Sequence, residues 1–116
     1  MAFSYSNELL EAFTQTSGGN ANVTTQPSDN CHTIIIFNTD STNSVRVGIV
    51  ANGVGLTTAN SALITAGSTL TLRIGTYEFR PFGRFTTATR VLRLLAVAGT
   101  PDVNFQYLNS VGNTPP

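Results

Sequence analysis

Ser61-Ala-Leu-Ile-Thr-Ala-Gly-Ser-Thr-Leu-Thr-Leu-Arg-Ile-Gly75 is the stretch whose reading decides the fold class. Leu70, Leu72 and Ile74 alternate in it with Thr69, Thr71 and Arg73. In a strand, successive side chains point to opposite faces, so this pattern predicts a half-buried β-strand with one aliphatic and one polar side. Ala66-Gly67-Ser68 supplies a turn before it and Gly75 ends it, which sets a length of about five or six residues. The stretch holds no nucleophile, metal-ligand cluster or phosphate-cradling loop. It reads as a scaffold strand, and Arg73 on its wet face is its one group for a partner contact.

The same period recurs on both sides. Cys31 to Phe37 contains Ile34, Ile35, Ile36 and Phe37 in succession, a run that predicts a central strand covered on both faces. A cluster of turn formers at residues 38–44 follows, and then Val45, Val47 and Ile49 resume the alternation, so an antiparallel hairpin is expected here. Asn52-Gly-Val-Gly55 is a turn, and residues 62–65 predict a short strand. Downstream, residues 90–98 are apolar on both parities, and Gly99-Thr-Pro-Asp102 turns the chain into Val103, Phe105 and Tyr107, which alternate with Asn104, Gln106 and Leu108. Residues 14–30 are polar and rich in Gly, Ser, Thr and Asn, a loop with one short edge strand around Val23.

Strands recurring about every ten residues with turn chemistry between them indicate an all-β fold, an antiparallel β-sandwich of jelly-roll or immunoglobulin-like type, or a small barrel, with about seven or eight strands. Helices able to serve as parallel crossovers are missing from the pattern, which excludes an α/β sheet. At the N-terminus, Tyr5, Leu9, Leu10 and Phe13 fall at near-helical spacing, with Ser6 or Asn7 to cap and Glu8 and Glu11 in the first turns. The expectation is a short helix there or, alternatively, an extended arm that crosses onto a neighbour. The chain is thus divided into an N-terminal arm and polar loop (1–30), a sandwich core (31–109) and a flexible tail ending in Pro-Pro (110–116), all one domain.

Composition narrows the function classes. Charged residues are 10% of the 116, far below the roughly 25% of an average soluble domain, and the net charge is zero. That balance argues against nucleic acid or an anionic membrane as partner. All 6 basic residues are Arg, the residue preferred in packed or interfacial sites. Low charge density also gives a free monomer little colloidal repulsion, which favours assembly. The single cysteine, Cys31, excludes an intramolecular disulfide. The first residues lack a basic segment followed by an apolar core, and no run approaches membrane-spanning length, so synthesis in the cytoplasm is expected.

Candidate chemistry is sparse. Cys31 and His32 are neighbours, but adjacent residues on a strand face opposite ways, which separates thiol from imidazole. Asp29, Asp40 and Asp102 sit in turn clusters, where a short carboxylate bonds nearby backbone, and none shows calcium-loop spacing. Glu78 is the one acid in an aromatic setting and lacks a second carboxylate for glycosidase chemistry. No catalytic, cofactor or metal residue is therefore assigned. The most distinctive patch is Tyr77, Phe79, Arg80, Phe82, Arg84 and Phe85, in which Arg and aromatic residues interleave as they do in protein interfaces. Stacked bases or sugars are its alternative ligands.

The order of these features resembles a known class. The apolar strand leading into Phe37-Asn-Thr-Asp-Ser-Thr-Asn-Ser-Val-Arg-Val-Gly48, the element Ile64-Thr-Ala-Gly-Ser-Thr-Leu-Thr-Leu-Arg-Ile74, and Val91-Leu-Arg-Leu-Leu-Ala-Val-Ala-Gly-Thr-Pro-Asp-Val-Asn-Phe-Gln-Tyr107 are similar to small β-sandwich virion proteins of tailed bacteriophages, most of all capsid decoration or cement proteins. The resemblance covers residues 31–108 and carries no catalytic motif. It implies a non-enzymatic protein of the virion that binds the major capsid protein outside the expanded head, as a dimer or trimer, and cross-links subunits against internal DNA pressure. The expected contacts are Phe3, Tyr5, Leu9, Leu10 and Phe13 of the arm, Arg73, and the patch from Tyr77 to Phe85. A carbohydrate-binding or host-adhesion module, and a tail or neck structural protein, are the alternatives.

Overall fold

The computed structural model describes residues 4–28, 31–74 and 90–114, with side chains described between residues 9 and 109 of these ranges. They form strands β1 (Ser4–Thr16), β2 (Ala21–Asn22), β3 (Thr33–Asn38), β4 (Val45–Ala51), β5 (Ala62–Ile64), β6 (Thr69–Arg73), β7 (Arg90–Ala96) and β8 (Asp102–Thr114). The strands build two four-stranded antiparallel sheets, in the orders β1-β8-β3-β6 and β2-β7-β4-β5. Every connection except β4–β5 passes from one sheet to the other.

The two sheets bury their facing sides in one β-sandwich-like core. The first contributes Ile34, Ile36, Val103, Phe105 and Tyr107, and the second Val45, Val47, Ile64, Leu92 and Leu94. These are the residues of one parity on each strand, as the two-residue period requires. On β6, Leu70 and Leu72 pack against this core while Thr69, Thr71 and Arg73 are exposed, as the opening stretch predicts. Phe13 stacks on Phe105 with ring centroids 5.2 Å apart and planes 10° from parallel, and meets Tyr107 edge-on at 5.4 Å.

β7 is apolar on both parities because both of its faces are covered, one by the core and the other by a loop. Leu92 and Leu94 face the core, whereas Val91 and Leu95 join Val50 in a second cluster on the outer side of the same sheet. The loop at residues 52–61 folds over that side and seats Leu56 in the cluster. Gly48 makes the approach feasible. A Cβ there would stand 2.6 Å from the Asn60 carbonyl oxygen and 2.8 Å from Leu56 Cδ2. Asn20 anchors the loop by accepting the Leu56 N–H at 2.7 Å.

Three expectations are corrected. No helix forms among the described residues, and the N-terminal segment is strand β1, hydrogen-bonded to β8 of its own chain rather than reaching out as an arm. The helical look of Leu9, Leu10 and Phe13 comes from a β-bulge. Leu9 pairs with Leu108 and Glu11 with Tyr107, so Leu10 is an extra residue, and Leu10 and Phe13 both pack on the core although an odd spacing separates them. The hairpin expected between β3 and β4 is absent, since the two lie in different sheets. The fully buried side chain of Asn38 fastens this crossing: Nδ2 donates to Asn43 O at 2.8 Å and to Ile64 O at 3.1 Å, and Oδ1 accepts the Asp40 N–H at 3.1 Å. β3 does hold a central place, but its second side is only partly covered: Ile34 and Ile36 are buried in the core, whereas on the other parity Thr33 is buried, Ile35 half-buried and Phe37 exposed.

Candidate interaction site at one end of the sandwich

Antiparallel pairing sorts the connections between two ends. One end carries the β1–β2, β3–β4, β5–β6 and β7–β8 links, which are short and densely tied. There Thr16 Oγ1 donates to Asp102 Oδ1 at 2.6 Å, Ser17 Oγ to Pro101 O at 2.7 Å and Thr39 Oγ1 to Asp102 O at 2.7 Å. Asp40 Oδ2 accepts the backbone N–H groups of Thr42 and Asn43, the role expected of a turn carboxylate. This end is closed by local polar bonds.

The other end is built differently. It receives the start of β1, the end of β8, the longer β2–β3 and β4–β5 links, and the residues 74 and 90 that flank the undescribed stretch. β3 pairs with β8 only as far as Thr33 opposite Leu108, whereas β1 and β8 continue together to Ser4 opposite Thr114. Among the described residues, a two-stranded ribbon therefore runs on past the sheet. Its two strands carry one register shift each, at Leu9/Glu11 on β1 and at the step from Ser110 to Gly112 on β8. Bulges of this kind bend an edge and re-aim its side chains.

Where the ribbon leaves the sheet, directly paired residues form one row across the outer face: Leu9 on β1, Leu108 on β8, Thr33 on β3 and Arg73 on β6. Leu9 is 56% exposed, and Arg73 is exposed at the opposite edge. Thr33 between them is buried, and its Oγ1 has no hydrogen-bond partner. Two residues expected to make contacts, Leu9 and Arg73, are thus brought into line although 64 positions separate them (73 minus 9).

The remaining expected contact residues are placed as follows. Leu10 and Phe13 pack against the core. Tyr5 stands opposite Asn113 in the ribbon. Phe3, Tyr77, Phe79, Arg80, Phe82, Arg84 and Phe85 lie outside the described residues. Sequence reading missed a second exposed feature on the other sheet, where Arg46 pairs with Leu63 on one side and Leu95 on the other. Leu63 is 48% exposed, and Arg46 Nη1 donates to Ser61 Oγ at 3.3 Å. The Leu63 signal was present as an apolar residue on the polar parity of β5. Compared with family models, curated proteins and solved structures, the chain matches none.

The described residues show no assembled reaction centre. Cys31 is fully buried, with Sγ 3.4 Å from Thr33 O, and no group of three or more His, Cys, Asp or Glu converges on a metal position among them. Tyr107 is buried and donates its hydroxyl to Thr25 O at 2.5 Å. Burial first, then the nearby Cys31 and Glu11, pushes its phenol well above the usual range, so it stays protonated and structural. An open groove of about 400 Å³ beside β4 is lined by the aliphatic Val47, Ile49, Ala59, Ala62 and Leu72 with Gly48 and by the polar Asn60 and Ser61.

Proposed function

We propose that the two sheets are wrapped as a jelly roll and that the protein is a non-enzymatic structural component of a phage virion, binding the outside of the capsid and cross-linking its subunits. The strand orders β1-β8-β3-β6 and β2-β7-β4-β5, with all links but one crossing between sheets, support the first part, because that is how an eight-stranded jelly roll is laid out. Jelly rolls serve in capsids and in lectins alike, so the fold raises the capsid reading only by analogy. The observation that carries it is the ribbon together with the Leu9–Leu108–Thr33–Arg73 row. It combines a ribbon edge that no strand among the described residues pairs, an exposed aliphatic side chain and an exposed Arg, the elements from which strand addition and interface anchors are made.

Co-sedimentation with expanded phage heads that lack an outer decoration tests this. The wild-type chain pellets with heads, and a Leu9→Asp, Arg73→Glu double variant with unchanged melting temperature binds at least about tenfold more weakly, the loss of about 1.4 kcal/mol. Equal pelleting of the two proteins rejects the row as the contact surface. Failure of the wild type to bind heads, with retention on a glycan array or on purified tails, moves the function to the adhesion or the tail reading.

A further inference from the structure

We propose that Asn52 is a site of self-modification, at which its side-chain amide cyclises onto the Gly53 nitrogen and the ring is then hydrolysed to aspartate or isoaspartate. Of the asparagines in the chain, only Asn52 is followed by glycine. The pair occupies the turn that ends β4, where the Val54 N–H donates to Ala51 O at 3.0 Å. Gly53 has a φ of +92°, and no described residue other than glycine has a positive φ, which matches a type II turn with glycine in its third place. The fold thus requires glycine there, and glycine brings no side chain to shield its nitrogen from the neighbouring amide carbon. Residues 51–54 are all exposed, so water and hydroxide reach the turn.

Bonding sets Asn52 apart from asparagines in other turns. Asn60 is held at both ends of its amide, Nδ2 donating to Gly55 O at 3.1 Å and Oδ1 accepting the Thr57 N–H at 2.7 Å. Asn38 is buried and bonded at both ends as well. The Asn52 amide is held at its oxygen, where Oδ1 accepts Asn22 Nδ2 at 3.3 Å. A donor on that oxygen favours attack at Cγ, because the oxygen gains negative charge as the new bond forms. The deprotonated Gly53 nitrogen bonds Cγ, the Cγ–Nδ2 bond breaks, and ammonia leaves with a proton. Water then opens the ring, at Cγ to give aspartate or at the Asn52 backbone carbonyl carbon to give isoaspartate. No electrons are transferred.

Both products place a carboxylate beside Asn22, whose Oδ1 accepts Arg93 Nη1 at 2.9 Å. The new charge therefore faces a guanidinium through one amide, and the neutral chain becomes negative. Isoaspartate also adds one carbon to the backbone between Ala51 and Val54, where the chain enters the loop that seats Leu56. The inference does not rest on the capsid reading.

The full chain is held in mildly alkaline buffer and mapped by peptide mass spectrometry, with isoaspartyl methyltransferase labelling to count isoaspartate. Asn52 converts at least about tenfold faster than Asn43, Asn60 and Asn109, each of which precedes serine. The Asn52→Gln chain loses the acidic shift that the wild type acquires in isoelectric focusing. Limited proteolysis cuts residues 52–61 faster in the isolated isoaspartate form than in Asn52→Asp. Conversion at Asn52 no faster than at the three Asn-Ser sites, or an unreacted Asn52 once a free peptide of the same local sequence has converted, overturns the proposal. Equal cleavage of the isoaspartate and Asn52→Asp chains overturns the effect on the loop.

Discussion

Tyr107 shows how one side chain ties the core to a loop and sets a pH limit. Its ring fills the space beside Phe13 and Phe105, and its hydroxyl reaches Thr25 O in the β2–β3 link. Because burial raises its pKa, the folded chain keeps this proton at a pH where the unfolded chain has lost it. The folded state then binds more protons than the unfolded state above about pH 10. The stability contribution is fully present below that pH and falls by up to about 1.4 kcal/mol per pH unit above it. Tyr107→Phe is expected to cost about 1 kcal/mol at pH 7, from the lost hydrogen bond, and to flatten the alkaline decline. Thermal melts of both proteins between pH 8 and pH 11 check this; parallel declines would exclude Tyr107 as the source. The inward place of Tyr107 was legible from its alternation with Gln106 and Leu108. Its bond to Thr25 was not, because 82 residues separate the partners.

Elements whose pattern is a simple period were read correctly, and those shaped by a bulge or a crossing were not. β6 and β8 have an uninterrupted alternation over Thr69–Arg73 and residues 103–107, so nothing local contradicts the strand. β1 departs from it because the bulge at Leu10 places residues 10 and 13 together, and an odd spacing mimics a helix. The β3–β4 link was read as a hairpin because consecutive strands commonly pair. Residues 39–44 instead carry the chain between sheets, held by Asn38 and Asp40. The placement of β1 predicts how truncations divide. Removing residues 1–8 takes, among the described residues, only the ribbon part of β1 and leaves Leu10, Phe13 and the pairs from Leu9 to Thr16 in place, so the melting temperature should fall by no more than about 5 °C. Removing residues 1–13 deletes the Phe13 stack and exposes β8, and should cost at least about 3 kcal/mol. Circular dichroism melts of the two truncations, with equal losses as the contrary result, decide the point.

The molecule as a whole is held by pairings between distant parts of the chain. β1 and β8, the first and last strands among the described residues, are neighbours, and β8 also supplies the second side of β3, so the first sheet cannot form before β8 is available. Closing such loops before their contacts form is entropically costly. Refolding from urea is accordingly expected on the millisecond-to-second scale in stopped-flow fluorescence, and a chain ending at residue 101 should stay unfolded because β1 loses the strand it pairs with and β3 keeps only β6. A folded, protease-resistant 1–101 fragment would contradict this. The amino-acid sequence by itself determined the all-β class, the inward residues of β6 and β8, the turns and the neutral, Arg-only charge pattern, because each is a property of neighbouring residues and the two-residue period of a strand. Tertiary structure alone decided which sheet each strand joins, the seating of Leu56 over Gly48, and the row that aligns Leu9 with Arg73. Those depend on strand order and register, which arise from packing two faces together across the length of the chain and leave no mark in any short window of it.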